Sequence, residues 1–240
     1  MSMMNTSQTH KQVHTIKRVL LVEDDRDLSV IAARHLQANH CSVDTAFSCA
    51  EALELTRSYR YDLILLDEVL PDMSGSEFCA IIRRQCNCPI IFLSCYSDSD
   101  SIIKALKSGG DDYMIKPINY QELLARAEAI ARRLHPEEQT ESGLRKFRSF
   151  SIDTIHRNIL CGGKVIDLTP IEYALLIYLA DRPDTLLLYQ ELYEQIWNCD
   201  SLGDNRTVTV HISNLRKKLD PDHLGLINTV RGVGYTFSDL

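Results

Sequence analysis

DLILLDEVLPDMSG (residues 62–75) runs through four apolar residues, Leu63, Ile64, Leu65 and Leu66, straight into Asp67, and then into Leu70, Pro71 and Gly75. A short apolar run bounded by turn residues is the pattern of a strand buried on both faces. Asp67 is thus a lone carboxylate where a buried strand breaks into a loop, a placement that marks a reactive aspartate. Two further strand ends carry polar groups: Glu23, Asp24 and Asp25 follow the apolar run 19–22, and Lys116-Pro117 follows 113–115. In an open parallel sheet the carboxyl ends of neighbouring strands share one crevice. The acids, the lysine and Asp67 are expected to converge there.

Working outward, strand-like runs at 19–22, 43–46, 63–66, 90–93 and 113–115 alternate with helical stretches. One helix starting near 25–27 carries Leu28, Ile31, Ala32 and Leu36, and another over 121–134 carries Leu123, Leu124, Ala127, Ile130 and Ala131 on one stripe. Five strands alternating with five helices predict an α/β fold, a five-stranded doubly wound parallel sheet covered on both faces. Residues 1–16 form a polar tail expected to be disordered, 17–134 the first domain, 135–146 a polar linker and 147–240 a second domain.

The second domain changes character. Short strands are expected at 147–153, 158–161 and 164–168, the last two joined by the turn Gly162-Gly163. Thr169-Pro170 starts a helix, with Thr169 suited to the cap and Pro170 to the first helical position; Tyr173, Leu175, Leu176 and Leu179 face inward. Two more helices, 189–197 and 206–219, precede a hairpin of 227–230 and 235–237. Three helices closed by a hairpin form a winged-helix α+β pattern.

A chain of 240 residues with 45% hydrophobic content can build a core in each domain. A formal charge of −7 argues against coating nucleic acid or anionic membrane over the whole surface, so a local basic patch must decide DNA binding. The N-terminus has no apolar central stretch of a signal peptide, and no apolar run approaches the roughly 20 residues of a spanning helix; a cytoplasmic protein without a membrane partner is expected. The cysteines, at 41, 49, 79, 86, 88, 95, 161 and 199, fall mostly within apolar or helical patterns. Cys86 and Cys88 form a C-x-C without the second pair a zinc site needs.

Transfer of a phosphoryl group to a carboxylate concentrates negative charge, so acceptor, cation and donors must lie close together. Magnesium suits that task because it takes carboxylate oxygens and phosphate while keeping waters. Glu23 and Asp24 would hold Mg²⁺, Asp67 would attack phosphorus, Lys116 would pair with the phosphoryl oxygens and Ser94 would offer a hydroxyl. Taken singly, the acids could merely cap a helix, Ser94 could serve a turn and Lys116 could sit in an exposed loop. Their joint occurrence at successive strand ends favours the shared site.

These residues carry a family resemblance. LLVEDD (20–25), DLILLDEVLPDMSG (62–75), PIIFLS (89–94) and GGDDYMIKP (109–117) resemble the flavodoxin-like receiver domain of two-component response regulators over 17–134. The resemblance implies phosphorylation of Asp67 by a sensor histidine kinase. It also implies Mg²⁺ on Glu23, Asp24, Asp67 and the backbone carbonyl of Val69, Lys116 and Ser94 on the phosphoryl group, a cis Lys116-Pro117 bond, and Tyr113 as the aromatic that turns inward on activation. Such a receiver modifies itself and is not a turnover enzyme. Gly110, Ile115, Ile118 and Cys95 depart from the residues usual at those positions.

Between 206 and 219 the chain carries Arg206, Arg216, Lys217 and Lys218 and no acid, a local footprint for phosphates. Val208, Ile212, Leu215 and Leu219 would face the core and leave Thr207, His211, Ser213, Asn214 and Lys217 on other faces. A basic helix end could equally be a solvated C-terminus, but Thr229, Arg231 and Tyr235 around a glycine turn add a wing. LTPIEYALL (168–176), RTVTVHISNLRKKL (206–219) and TVRGVGYTF (229–237) resemble the effector domain of the OmpR/PhoB subfamily over 147–240. That implies DNA contacts from Arg206, His211, Ser213, Asn214, Arg216, Lys217, Thr229, Arg231 and Tyr235. It further implies an activated homodimer on direct-repeat promoter half-sites, with RNA polymerase as a further partner. In the subfamily's dimer, Asp111 would pair with Arg126 and Asp112 with Arg133 across the interface. Ile102 replaces the basic partner of Glu122, which predicts a more apolar contact.

Two other classes of function compete. A phosphatase or phosphotransferase could also use a strand-end aspartate with Mg²⁺, but it needs a second catalytic acid, and Glu68 would have to point inward. A DNA binder tuned by its cysteines would have no use for Asp67, Lys116 and Ser94 together.

Overall fold

The computed structural model describes residues 16–134, 143–198, 205–221 and 225–238. Nearly all of the expected tail, residues 135–142 of the expected linker and the side chain of Arg133 lie outside the described residues. In the first domain the chain alternates β1 (Arg18–Val22), α1 (Arg26–Ala38), β2 (Ser42–Ala46), α2 (Cys49–Ser58), β3 (Leu63–Asp67), α3 (Gly75–Ile82), β4 (Ile90–Ser94), α4 (Ser99–Lys107), β5 (Asp112–Ile115) and α5 (Tyr120–Leu134). The five strands pair in parallel in the order β2-β1-β3-β4-β5.

Alternate residues of the central strands feed two cores, as the pleat requires. Val19, Leu21, Leu63, Leu65, Ile91 and Leu93 pack with α1 and α5 on one face. Leu20, Val22, Ile64, Leu66, Ile90 and Phe92 pack with Phe78, Cys79 and Ile82 of α3 on the other. The strand ends turn sharply into helices with strong caps: Asp25 accepts from the amides of Asp27 and Leu28, and Ser74 and Glu77 cap each other reciprocally at α3.

The second domain opens with an antiparallel sheet, β6 (Leu144–Lys146), β7 (Phe150–Asp153), β8 (Asn158–Cys161) and β9 (Lys164–Ile166), in chain order. Its first strand starts at Leu144, within the expected linker, and the single strand expected over 147–153 is instead the end of a hairpin. The Phe147 amide donates to the Phe150 carbonyl (2.8 Å), which closes a turn and stacks the two rings 4.6 Å apart against the edge of Phe237. Helices α6 (Pro170–Ala180), α7 (Tyr189–Trp197) and α8 (Arg206–Leu219) follow. The short strand β10 (Leu187–Leu188) joins the hairpin β11 (Ile227–Val230) and β12 (Gly234–Phe237) in the order β10-β12-β11. Thr169 and Glu172 form a capping box at α6, and buried Glu172 also accepts from Lys218 Nζ of α8 at 2.7 Å. Among the described residues no helix is long and apolar enough to cross a membrane.

Candidate functional site

Asp67 ends β3 with only 7% of its surface exposed. Its Oδ1 accepts from the Val69 amide at 3.0 Å, which fixes the carboxylate against its own loop. Its Oδ2 lies 2.5 Å from Lys116 Nζ, and the same ammonium bonds Glu23 Oε2 at 2.7 Å. Lys116 follows β5, and its bond to Pro117 is cis. Burial pushes the lysine's pKa down, but the bonds to Asp67 and Glu23 outweigh it and hold the ammonium above its ordinary range. Glu23 is pushed up to about 7 by burial, which the Lys116 bond opposes and the Asp67 charge reinforces.

Carboxylate oxygens of Glu23, Asp24 and Asp67 all lie within 4.8 Å of one another. Asp24 is exposed while the other two are buried, so the cluster has one open side. A set of hard oxygen donors with an open side fits a magnesium ion that keeps several waters. Asp25, the third acid of the run, is occupied as the cap of α1. Glu68 turns away from Asp67: its carboxylate takes the Ser76 amide and hydroxyl and Lys104 Nζ. Glu68 therefore does not serve as a second catalytic acid beside Asp67.

Gly75 explains the end of the opening motif. A Cβ there would lie 2.2 Å from the Asp67 carbonyl oxygen, so only glycine lets α3 begin against β3. Gly110 has a similar cause, since a Cβ would meet the Phe92 ring at 2.7 Å. Ser94 is buried at the end of β4, and its Oγ accepts from the Tyr96 amide at 3.2 Å. Tyr113 is half-buried, stacks on Phe92 at 6.3 Å and donates its hydroxyl to the Tyr96 carbonyl at 2.8 Å.

The second group of expected residues is placed very differently from its expectation. Helix α8 lies against α4, where Val210 closes a small apolar cluster with Ile102 and Leu106, and Tyr113 packs on the same cluster. Arg206 donates to Ser99 Oγ (3.0 Å) and Asn214 to the Leu106 carbonyl (3.5 Å). His211, expected on an outer face, is 1% exposed, and Thr207 is buried as well. The periodicity correctly placed Val208, Ile212, Leu215 and Leu219 in the domain core, but a second core-like face of α8 meets the receiver.

At the centre of this contact is Asp111, fully buried. Its carboxylate takes the Arg83 guanidinium and the amides of Ile90 (2.8 Å) and Ile171 (3.3 Å), the last belonging to α6. Its carbonyl accepts from Trp197 Nε1 at 3.3 Å and lies 3.2 Å from His211 Nε2. The imidazole therefore donates from Nε2. Burial lowers its pKa to about 3, which the Asp111 carbonyl opposes while Arg83 and Lys218 add to the fall. Asp112 pairs with Arg126 at 3.0 Å, and Arg126 also holds Glu122 at 2.7 Å and the Tyr193 hydroxyl of α7. Within one chain, Asp111 takes Arg83, while Asp112 and Glu122 share Arg126.

Within the wing, Thr229 and Arg231 are exposed but Tyr235 is not; its ring is buried edge-on to Tyr189 at 5.2 Å. Arg216 is tied to the wing, donating to the Ile227 carbonyl (2.8 Å) and Thr229 Oγ1 (2.7 Å), with its guanidinium 5.3 Å from the Tyr235 ring centre. Lys217 is exposed and Ser213 half-buried. The sequence reading missed Arg83, Tyr193 and Trp197. The available signal was Ile102, an apolar residue where a charged partner was expected.

Comparison with known proteins accounts for both halves. The model described as Response regulator receiver domain matches residues 19–128, and Transcriptional regulatory protein, C terminal, matches residues 163–237. The chain is 36% identical over 219 residues to Response regulator ArlR of Staphylococcus aureus, covering 91% of this chain and 98% of that one. A solved RitR mutant matches 93% of this chain and 100% of its own at 32% identity and a TM-score of 0.75, and a second RitR mutant does so at 0.76. Asp67 and its neighbours lie in the first matched segment, α8 and the wing in the second, and the chain accordingly belongs to the OmpR/PhoB family of response regulators, the transcriptional regulators of two-component systems.

Proposed function

We propose that Asp67 accepts a phosphoryl group from a sensor histidine kinase, with Mg²⁺ held by Glu23, Asp24, Asp67 and the Val69 carbonyl. The observation that carries this reading is the meeting of Asp67 Oδ2 with Lys116 Nζ beside two further carboxylates. Mg²⁺, when bound, neutralises charge on the phosphoryl oxygens. The Val69 amide orients the Asp67 carboxylate, and its free lone pair attacks phosphorus as the bond to the donor histidine breaks. Lys116 then has a phosphoryl oxygen to pair with in place of the carboxylate, and the Ser94 hydroxyl stands at the adjacent strand end. Intact mass after incubation with acetyl phosphate and Mg²⁺ tests this: one phosphoryl is gained by the wild type and none by Asp67→Asn. Steady release of phosphate from small esters would instead favour a turnover enzyme.

The output is promoter binding as a homodimer on direct-repeat half-sites, where RNA polymerase is the further partner. Lys217, Thr229 and Arg231 are exposed for backbone and groove contacts, with Ser213 partly so. Arg206, His211 and Asn214 are engaged with the receiver and become available to DNA only when α8 leaves α4. Arg216 and Tyr235 support the wing from beneath. The residues read from the sequence as the pairing face, Asp111, Asp112 and Arg126, carry the effector domain here, so pairing through them requires its release. Arg231→Ala is expected to weaken half-site binding by about 1 to 3 kcal/mol, read by titration at matched salt. Unchanged affinity would remove the wing from the interface.

A further inference from the structure

Outside the phosphoacceptor pocket, two thiols stand together. Cys86 and Cys88 lie in the loop between α3 and β4, with sulfurs 3.6 Å apart. Cys86 is half-buried and lines a groove of about 250 Å³ with Thr56, Arg57, Tyr59, Arg60 and Ile82. Cys86 is therefore open to a small solute beside two cationic side chains, Arg57 and Arg60. The bond to Cys88 lowers the Cys86 pKa against the effect of burial, and Arg83 and Arg60 lower it further, to about 6; Cys88 is pushed up by the same bond and by burial. The pair as a whole gives up its first proton more readily than an isolated thiol, and Cys86 is the member that lines the groove, the arrangement that thiol oxidation requires. Among the described residues no third ligand joins them, which leaves a metal two-coordinate.

The pair is also wired to the contact between the domains. Arg83 donates to the Cys88 carbonyl, to the Gly109 carbonyl at 2.7 Å and to the Asp111 carboxylate. Asp111 in turn takes Ile171, Trp197 and His211 of the effector domain. A disulfide needs its sulfurs about 2.05 Å apart, so closing the bond draws the two residues together and moves the loop that positions Arg83.

We propose that Cys86 and Cys88 form an oxidation site for hydroperoxides, whose disulfide loosens the Arg83–Asp111 anchor of the effector domain. The Cys86 thiolate attacks the peroxide oxygen, the O–O bond breaks, and a sulfenic acid forms with release of hydroxide or alkoxide. The Cys88 sulfur then attacks the Cys86 sulfur, and hydroxide leaves and takes up the Cys88 proton as water. Sulfur loses two electrons overall and the peroxide gains them.

The test uses the full-length reduced protein treated with hydrogen peroxide near pH 7, followed by differential alkylation and peptide mass spectrometry. The expected result is loss of the Cys86 and Cys88 thiols together, with a peptide two hydrogens lighter, while exposed Cys95 still alkylates. Cys88→Ser should trap Cys86 as a dimedone-reactive sulfenic acid, and Cys86→Ser should leave Cys88 reduced. Oxidation of Cys95 with 86 and 88 untouched would overturn the site. Hydrogen exchange of α8 should rise several-fold in the oxidised wild type and not in either variant. A disulfide with unchanged α8 exchange would overturn the coupling to the effector domain.

Discussion

Asp67 is held between an amide of its own loop and the ammonium of Lys116, and Gly75 lets the next helix begin where a Cβ would lie 2.2 Å from the Asp67 carbonyl oxygen. Gly75→Ala must push α3 off β3; a destabilisation of about 1 to 3 kcal/mol is expected from such overpacking, read as a lower melting temperature together with slower labelling by acetyl phosphate. At His211 the proton decides the contact. An ordinary histidine binds its proton near 6.5, and this one only near 3. The open form therefore protonates first, so the closed contact keeps its full strength above 6.5 and weakens as pH falls from there towards 3, by at most about tenfold per pH unit. The opening constant of 206–219, taken as hydrogen exchange divided by the intrinsic amide rate at each pH, should rise between pH 7 and 5.5, and His211→Gln, which retains a donor, should flatten the response.

Helices α4 and α8 meet through Ile102, Leu106 and Val210, with Tyr113 against the same cluster. Ile102→Asp places a carboxylate in that apolar contact while leaving the DNA-binding domain unaltered. Losing the burial of one such side chain costs about 1.5 to 3 kcal/mol, so affinity of the unphosphorylated protein for a single half-site should rise roughly tenfold or more. An unchanged affinity would show that α8 is not restrained by α4. The elements of the receiver were legible because each strand is an unbroken apolar run and each site residue sits at a strand end, where local sequence and sheet topology agree. The hairpin around Phe147 was not, because its turn is set by a cluster of three phenylalanines, one of them from the last strand. The buried face of α8 was hidden for a related reason: Thr207 and His211 read as outer residues when only one partner surface is assumed, and the second partner is about a hundred residues away in the chain.

Across the whole molecule, one face of the receiver supports the effector domain through Asp111, Asp112 and Arg126, the side chains that sequence reading assigned to pairing between copies. Phosphorylation of Asp67 should expand the molecule before or together with dimer formation. Small-angle scattering of Asp111→Asn, which weakens the bond to Arg83, should show a larger radius of gyration at concentrations where the protein is still monomeric; an unchanged radius would place the restraint elsewhere. Because the occupant of this face is covalently attached, it acts as a tethered competitor whose local concentration is of millimolar order for a short connection. A second molecule at micromolar abundance cannot displace it by mass action alone. Each modified molecule is released on its own, and pairing of two released copies then makes promoter occupancy rise with about the square of the modified fraction, an upward curve without any cooperative site on the DNA.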